Sequence, residues 1–296
     1  MSQSTRSSML AVPATSRQSF EFAVLCVTSI VFWWQPVLST VKLALSNDAY
    51  THILLILPVA LALILAERTS VFSSGDRWTG WVLLSGALLL RGIAFWSANH
   101  FSASDALSVS ILALVLWWIG SAVTCFGLTS IRSHLFATCF LFLLIPLPER
   151  IVNWIIEALQ NGSAVVAGWL FRLAYVPVAR QGIILSIPGL DIEVARECSS
   201  IRSSMMLVVV TLLLAHLFLY SRWRKFLLVL AAIPLSVLKN AIRIFAIAEL
   251  ATRVDPSYLD GKLHRHGGIL FLTLSILGML LALWGLRKTE VKSVYR

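Results

Sequence analysis

Apolar and polar positions along this chain segregate into long blocks. Eight stretches are mostly apolar: 21–41, 52–67, 79–97, 107–128, 134–147, 202–220, 226–249 and 267–286. A helix needs about 20 such residues to cross a hydrocarbon core about 30 Å thick, so the pattern predicts about eight membrane-spanning helices. The second and fifth stretches are short, and Pro58 and Pro146 lie near them, where a kink or break is tolerable. Trp33, Trp34, Trp78, Trp81, Trp96 and Trp223 fall near span ends, as an interfacial aromatic belt requires.

The segment 148–201 follows another rule. Ile151, Trp154, Ile155, Ala158, Leu159, Val165, Val166, Trp169, Leu170 and Leu173 recur at three- and four-residue spacing, which predicts an amphipathic helix lying in the interface or re-entrant. Ile183, Leu185 and Ile187 then alternate, Pro188-Gly189 turns, and Leu190, Ile192 and Val194 alternate back. That pattern predicts a small β-hairpin leading into Cys198. The expected fold class is an all-α polytopic membrane protein with an outer amphipathic helix and a hairpin before the sixth span. No internal repeat is visible, so one transmembrane domain, 21–286 with outer segment 148–201, is expected between cytoplasmic tails 1–20 and 287–296.

Composition sharpens this picture. Of 296 residues, 58% are hydrophobic and only 13% charged, about half the charged share of a soluble domain. The net charge of +10 comes from arginines scattered between apolar runs rather than gathered on one face. Membrane lipids are therefore expected partners and nucleic acid is not. With the N-terminus inside, the inner segments hold twelve Lys and Arg and the short outer loops four, which favours that orientation. The first 20 residues are polar and carry no apolar stretch, so they read as a cytoplasmic tail and not as a cleaved signal. Both termini are then cytoplasmic, and 148–201 faces the exterior.

Candidate chemistry gathers on that outer side. Of the four cysteines, Cys26, Cys125 and Cys139 sit in apolar runs, whereas Cys198 sits in the polar Arg196-Glu197-Cys198-Ser199-Ser200. No Cys/His spacing suits a metal, and no cofactor is implied. Span six runs inward, so Cys198 and Arg202 mark its outer end. Span seven runs outward, and Arg243 lies 17 residues past Phe226, about 25 Å along the helix. Asn240 shares its face, Lys239 lies on a neighbouring one, and His264 and His266 just precede span eight. A thiolate is a nucleophile, an imidazole can shuttle its proton, and an arginine can hold an oxyanion. Each residue alone has a plainer reading. Cys198 could be an inert thiol, Arg202 a helix-end anchor and Arg243 a snorkelling side chain or a partner of Glu249. The two histidines could be solvated loop residues.

At these positions the chain resembles the exosortase/archaeosortase family, bacterial exosortase branch, membrane cysteine proteases or transpeptidases. The resemblance rests on Cys198-Ser-Ser-Ile-Arg-Ser-Ser204, Leu238-Lys-Asn-Ala-Ile-Arg-Ile244 and His264-Arg-His-Gly-Gly268. Asp48-Ala-Tyr-Thr-His52 and Pro146-Leu-Pro-Glu-Arg150 resemble two earlier family stretches. The family shows glycine after its Cys-Ser pair, where this chain has Ser200. The resemblance implies Cys198, Arg243 and His264 as the catalytic trio, with Arg202, Asn240 and His266 as possible support. It also implies substrates that are exported proteins with a tripartite C-terminal sorting tail (a Pro-Glu-Pro-like motif, a spanning helix and a basic end). Cleavage at the outer face of the inner membrane would pass the acyl group to an acceptor or to water. Family context links this to surface attachment and exopolysaccharide machinery. Two other classes fit the residues less closely: a polysaccharide-export accessory or transporter, and a membrane thiol acyltransferase using Cys198. A carrier calls for midplane polar groups and often a repeat between halves, and neither is visible.

Overall fold

In the computed structural model the described residues are 16–66, 76–97, 102–194, 201–258 and 262–294, and the last helix has side chains described over 270–290. Nine helices are present among them: α1 (Ser16–Ser46), α2 (Ile53–Ala66), α3 (Arg77–Ser97), α4 (Ala103–Ser133), α5 (Leu135–Phe140), α6 (Glu149–Leu173), α7 (Ile201–Phe218), α8 (Arg222–Arg253) and α9 (Lys262–Val294). Three strands accompany them: β1 (Ala179–Gln181), β2 (Ile184–Ile187) and β3 (Leu190–Glu193). Seven helices are long and apolar enough to cross a membrane, and an eighth candidate arises if 135–144 is counted with α6. The chain is thus an all-α polytopic membrane protein with a small sheet. The expected tail 1–20 lies mostly outside the described residues.

The chain packs as two compact units, 1–149 and 150–296. In the first, α1 and α4 run antiparallel. Phe22 meets Phe126 with ring centroids 5.2 Å apart, Trp117 Nε1 donates to Leu25 O at 2.9 Å, and Trp33 Nε1 donates to Ser110 O at 2.8 Å. Trp33 is therefore no belt residue: it is fully buried, while Trp34, Trp78, Trp81, Trp96 and Trp223 are exposed as expected. Its indole N–H satisfies itself on a neighbouring helix instead of in the headgroup region. Helix α3 approaches α4 closely enough that a Cβ on Gly80 would meet Thr124 Oγ1 at 2.0 Å and Thr124 Cα at 2.8 Å. Small residues are what allow helix backbones to approach this closely in a membrane.

The predicted fifth span is not a continuous helix. Gly127 (φ 80°, ψ 164°) breaks α4 near its end, and the return is made by α5, a 3-10 turn at Leu141–Leu144 and the extended residue Ile145. The sequence Ile145-Pro-Leu-Pro148 forbids further helix. Ser108 Oγ nevertheless donates to Pro146 O at 2.6 Å, so the chain is back at the end of α4 where it began. Rises of 1.5, 2.0 and 3.3 Å per residue give this stretch about 24 Å of travel, against about 29 Å for α4 from Ser108 to Gly127. The stretch therefore traverses the unit despite its shortness, and 3-10 and extended backbone supply the length that α-helix could not.

In the second unit α6 exists as expected, with part of its apolar stripe exposed and its small residues turned inward. Val152, Ile156, Leu159, Gln160, Ser163, Ala164, Ala167, Gly168 and Phe171 are buried, whereas Ile151, Trp154, Val165, Trp169 and Leu173 are exposed. The small residues let neighbouring elements approach, and the bulky apolar side chains face outward, where lipid can cover them. The hairpin is also present, with Ile187 paired to Leu190 across Pro188-Gly189. Gly189 has φ 82°, as the second central position of a type II turn requires. A third strand, β1, pairs with β2. Leu185, Ile187 and Val194 pack with Ala164, Phe171, Ala241 and Ile244, so the sheet is fastened to α6 and α8. Helices α7, α8 and α9 share a separate core around Leu207, Leu228 and Met279.

Candidate functional site

Three helices of the second unit bring chemistry-bearing residues to one end. At the opposite end Glu290 of α9 accepts from the backbone N–H groups of Tyr220 (3.2 Å) and Ser221 (2.6 Å) and pairs with Arg224 at 3.4 Å. That carboxylate caps the start of α8, where the helix dipole favours negative charge. It ties the α7–α8 turn to the end of α9. The N-terminus of α7, the C-terminal half of α8 and the N-terminus of α9 then lie together at the far end.

Helix α8 carries the polar face. Lys239 is 3% exposed, Asn240 1% and Arg243 9%. Lys239 Nζ donates to Ser203 Oγ in the first turn of α7, and Asn240 Nδ2 donates to Ser163 Oγ of α6 at 3.0 Å. Gln160, one turn before Ser163, donates from Nε2 to Val194 O at 2.7 Å and so pins the end of the hairpin. Ser204 and Ser236 bury hydroxyl oxygens that have no hydrogen-bond partner among the described residues. Glu249, the alternative partner considered for Arg243, pairs with Arg253 at 2.7 Å. Two cations one helical turn apart inside a span are costly and mark this face as functional by default.

The predicted site residues fall out as follows. Arg243 and Asn240 are buried on α8, and Arg202 is exposed at the second position of α7. Cys198 lies outside the described residues, three positions before the first residue of α7. His264 and His266 belong to the first turns of α9. Gly278 of α9 faces Leu235 of α8, with a Cβ there 3.6 Å from Leu235 Cδ1. Counting eight residues outward on each antiparallel helix puts Arg243 level with residue 270 of α9. His266 is then about 6 Å and His264 about 9 Å beyond that level along the axis. Lys239, Ser203, Ser163 and Gln160 were not among the predicted site residues. The signal available for Lys239 was its charge inside an apolar run; the others carried none, because serine and glutamine are common at helix contacts.

Residues 33–282 match the family model for transmembrane exosortases. The chain belongs to the transmembrane exosortase family. The matched region contains every residue of the face described above, from Gln160 to Arg243, together with Cys198, His264 and His266. No curated protein and no solved structure matches the chain. For this exosortase the two early motif stretches also meet in space, within the first unit. Tyr50 Oη donates to Leu147 O at 2.9 Å, while His52 is 8% exposed with Nδ1 unpaired among the described residues.

Proposed function

We propose that this exosortase is a thiol transpeptidase or endopeptidase that cuts the C-terminal sorting tail of exported proteins at the outer face of the inner membrane, with both of its termini cytoplasmic. The observation that carries the reading is Arg243, a guanidinium 9% exposed inside a spanning helix, in a chain whose family match also spans Cys198 and His264.

Cys198 gives its proton to His264, and the thiolate sulfur attacks the scissile carbonyl carbon. Arg243 holds the oxyanion that forms, a contact strengthened where water is excluded. The tetrahedral intermediate collapses, the C–N bond breaks, and the leaving amine takes the proton from the imidazole. The acyl group now sits on sulfur as a thioester. An amine acceptor or water, deprotonated by the imidazole, attacks the thioester and the thiol is restored. Asn240 and Arg202 are positional in this scheme: Asn240 fixes α8 against α6, and Arg202 stands at the entrance of α7. His266 is the rival to His264 for the proton-shuttle role.

The test is expression of Cys198→Ala beside a tagged substrate bearing such a tail. Tail removal should cease at unchanged enzyme level, and mass spectrometry of the wild-type enzyme should trap a peptide thioester on Cys198. Normal processing by the variant would overturn the proposal. A lipid acyl group on the sulfur would reassign the chemistry to a membrane acyltransferase. Separate loss of function in His264→Ala and His266→Ala decides which imidazole carries the proton.

A further inference from the structure

Arg91 takes no part in the chemistry above. It lies in α3, six residues before the last residue, Ser97, which is about 9 Å from the helix end. Its side chain lines a pocket of about 420 Å³ in the first unit, between α1, α3 and α4, with Gln35, Ser39, Phe95, Leu107 and Ser110 among the other walls. The Nε atom is buried and has no hydrogen-bond partner among the described residues. Among the described residues no carboxylate, hydroxyl or carbonyl pairs with the guanidinium. Asp105, the acidic residue nearest in sequence among those described, is not in the wall.

An arginine in a span is expected to pair, to reach water or to serve a ligand. Snorkelling alone would carry the whole head group into water, yet here Nε is buried beside an open pocket. The donors around that space are a guanidinium fork, the amide of Gln35 and the hydroxyl of Ser39, with no acidic group among the walls. Such a set suits an oxyanion, and the planar fork suits phosphate above all. Phe95, Leu107 and Pro36 supply apolar walls to the same space, which a free inorganic anion would leave uncovered. We propose that Arg91, with Gln35 and Ser39, binds the phosphate of an anionic membrane lipid whose acyl chains lie along Phe95 and Leu107. The shared chemistry is a phosphate oxyanion, and the walls favour a lipid over free phosphate as its source. This site stands apart from the proposed reaction and survives if that reaction is wrong.

The test uses the purified full chain in detergent micelles and native mass spectrometry with dioleoylphosphatidylglycerol, dioleoylglycerol and inorganic phosphate as probes. Wild type should retain one phosphatidylglycerol and no dioleoylglycerol. Arg91→Gln should lower occupancy about tenfold or more, as loss of a charge-assisted pair implies. Arg91→Lys should keep part of it, and Gln35→Leu should lower it less. Arg77→Gln, at the exposed start of the same helix, should change nothing. Equal retention by wild type and Arg91→Gln would overturn the site, as would equal retention of dioleoylglycerol or an equal loss in Arg77→Gln. Displacement by inorganic phosphate at matched concentration would overturn the lipid assignment. Should Arg91→Gln aggregate, the decision passes to Arg91→Lys and Gln35→Leu, and unchanged occupancy in both would overturn the proposal.

Discussion

The two units of this exosortase differ in which polar side chains they bury. In the first, indoles, a phenol and hydroxyls reach across helices to backbone oxygens: Trp33 to Ser110, Trp117 to Leu25, Tyr50 to Leu147 and Ser108 to Pro146. These are neutral donors meeting carbonyls, and their result is a fixed stack of helices. In the second, α8 buries Lys239 and Arg243, and the contacts around them run between side chains. A neutral hydrogen bond stabilises modestly and reliably, whereas a buried charge costs stability unless its surroundings are well arranged. The contrast teaches that burial alone does not mark function. What distinguishes the second unit, among the described residues, is a pair of cations, Lys239 and Arg243, buried one turn apart on one helix.

The sharpest way to break that contrast is at Arg243. Arg243→Lys keeps the charge and removes the planar fork. It should lower the rate of tail processing about 100- to 1000-fold, the range seen when one oxyanion donor is lost, with little change in thermal stability. Rate measurement on a tagged substrate, beside a melting curve in detergent, checks both halves. A variant that melts early and retains its rate would make Arg243 a structural residue like those of the first unit.

The next effect belongs to packing. Gly80→Ala would place a Cβ 2.8 Å from Thr124 Cα and N, which only movement of a helix can relieve. The cost should be about 2–3 kcal/mol, read as a lower melting temperature. Gly278→Ala in the second unit meets only the tips of Leu235 at 3.6 and 3.8 Å and should be neutral, or stabilising by up to about 1 kcal/mol through helix propensity. Equal destabilisation by the two would erase the difference in how tightly the units are packed.

Much of this was legible in the sequence, for identifiable reasons. The long apolar blocks fixed the number of spanning helices closely, because solvent by itself dictates their length. The hairpin was legible from Ile183-to-Val194 alternation around Pro188-Gly189. Strand β1 was not, since Ala179-Arg180-Gln181 are all exposed and carry no alternation. The apolar stripe of α6 was legible from its spacing, but the inward face of Ser163, Ala164, Ala167 and Gly168 was not, because small residues at a helix contact carry no apolar signal. The burial of Trp33 was not legible, because position along a helix does not reveal which neighbour faces it. Within the site, the burial of Arg243 and Asn240 followed from their place in an apolar run. The partnerships of Lys239 with Ser203 and of Asn240 with Ser163 span 36 and 77 residues, and only tertiary register creates them.

Lys239 gives a finer test. Replacing a buried charge by an apolar side chain of similar volume is often neutral or stabilising, so Lys239→Met should melt no lower than wild type. If the cation helps to organise the first turn of α7, which follows Cys198, processing should fall about tenfold, equivalent to about 1.4 kcal/mol. Ser203→Ala should produce part of the same loss. The alkylation rate of Cys198 against pH separates an electrostatic role from a merely structural one. Loss of a nearby cation should move the thiolate profile to higher pH, because a positive neighbour favours the charged sulfur. An unmoved profile with an unchanged processing rate would leave Lys239 as a tie between α7 and α8.

The smallest effect returns to the first unit. Trp33→Phe keeps the ring buried between α1 and α4 and removes the 2.8 Å bond from Nε1 to Ser110 O. The cost should be about 1 kcal/mol, since Ser110 O belongs to α4 and retains its helical donor while no polar atom is added. The smaller ring leaves a gap beside Trp117, whose centroid is 5.6 Å away, and loses part of the aromatic contact. Processing should be unaffected per folded molecule. That outcome, stability down and turnover unchanged, is the reverse of what Arg243→Lys should give. Finding the two reversals in the two units would assign scaffolding to the neutral hydrogen bond of Trp33 in the first and reactivity to the buried Arg243 in the second. A fall in turnover with Trp33→Phe, at matched folded protein, would mean that the first unit shapes the site as well.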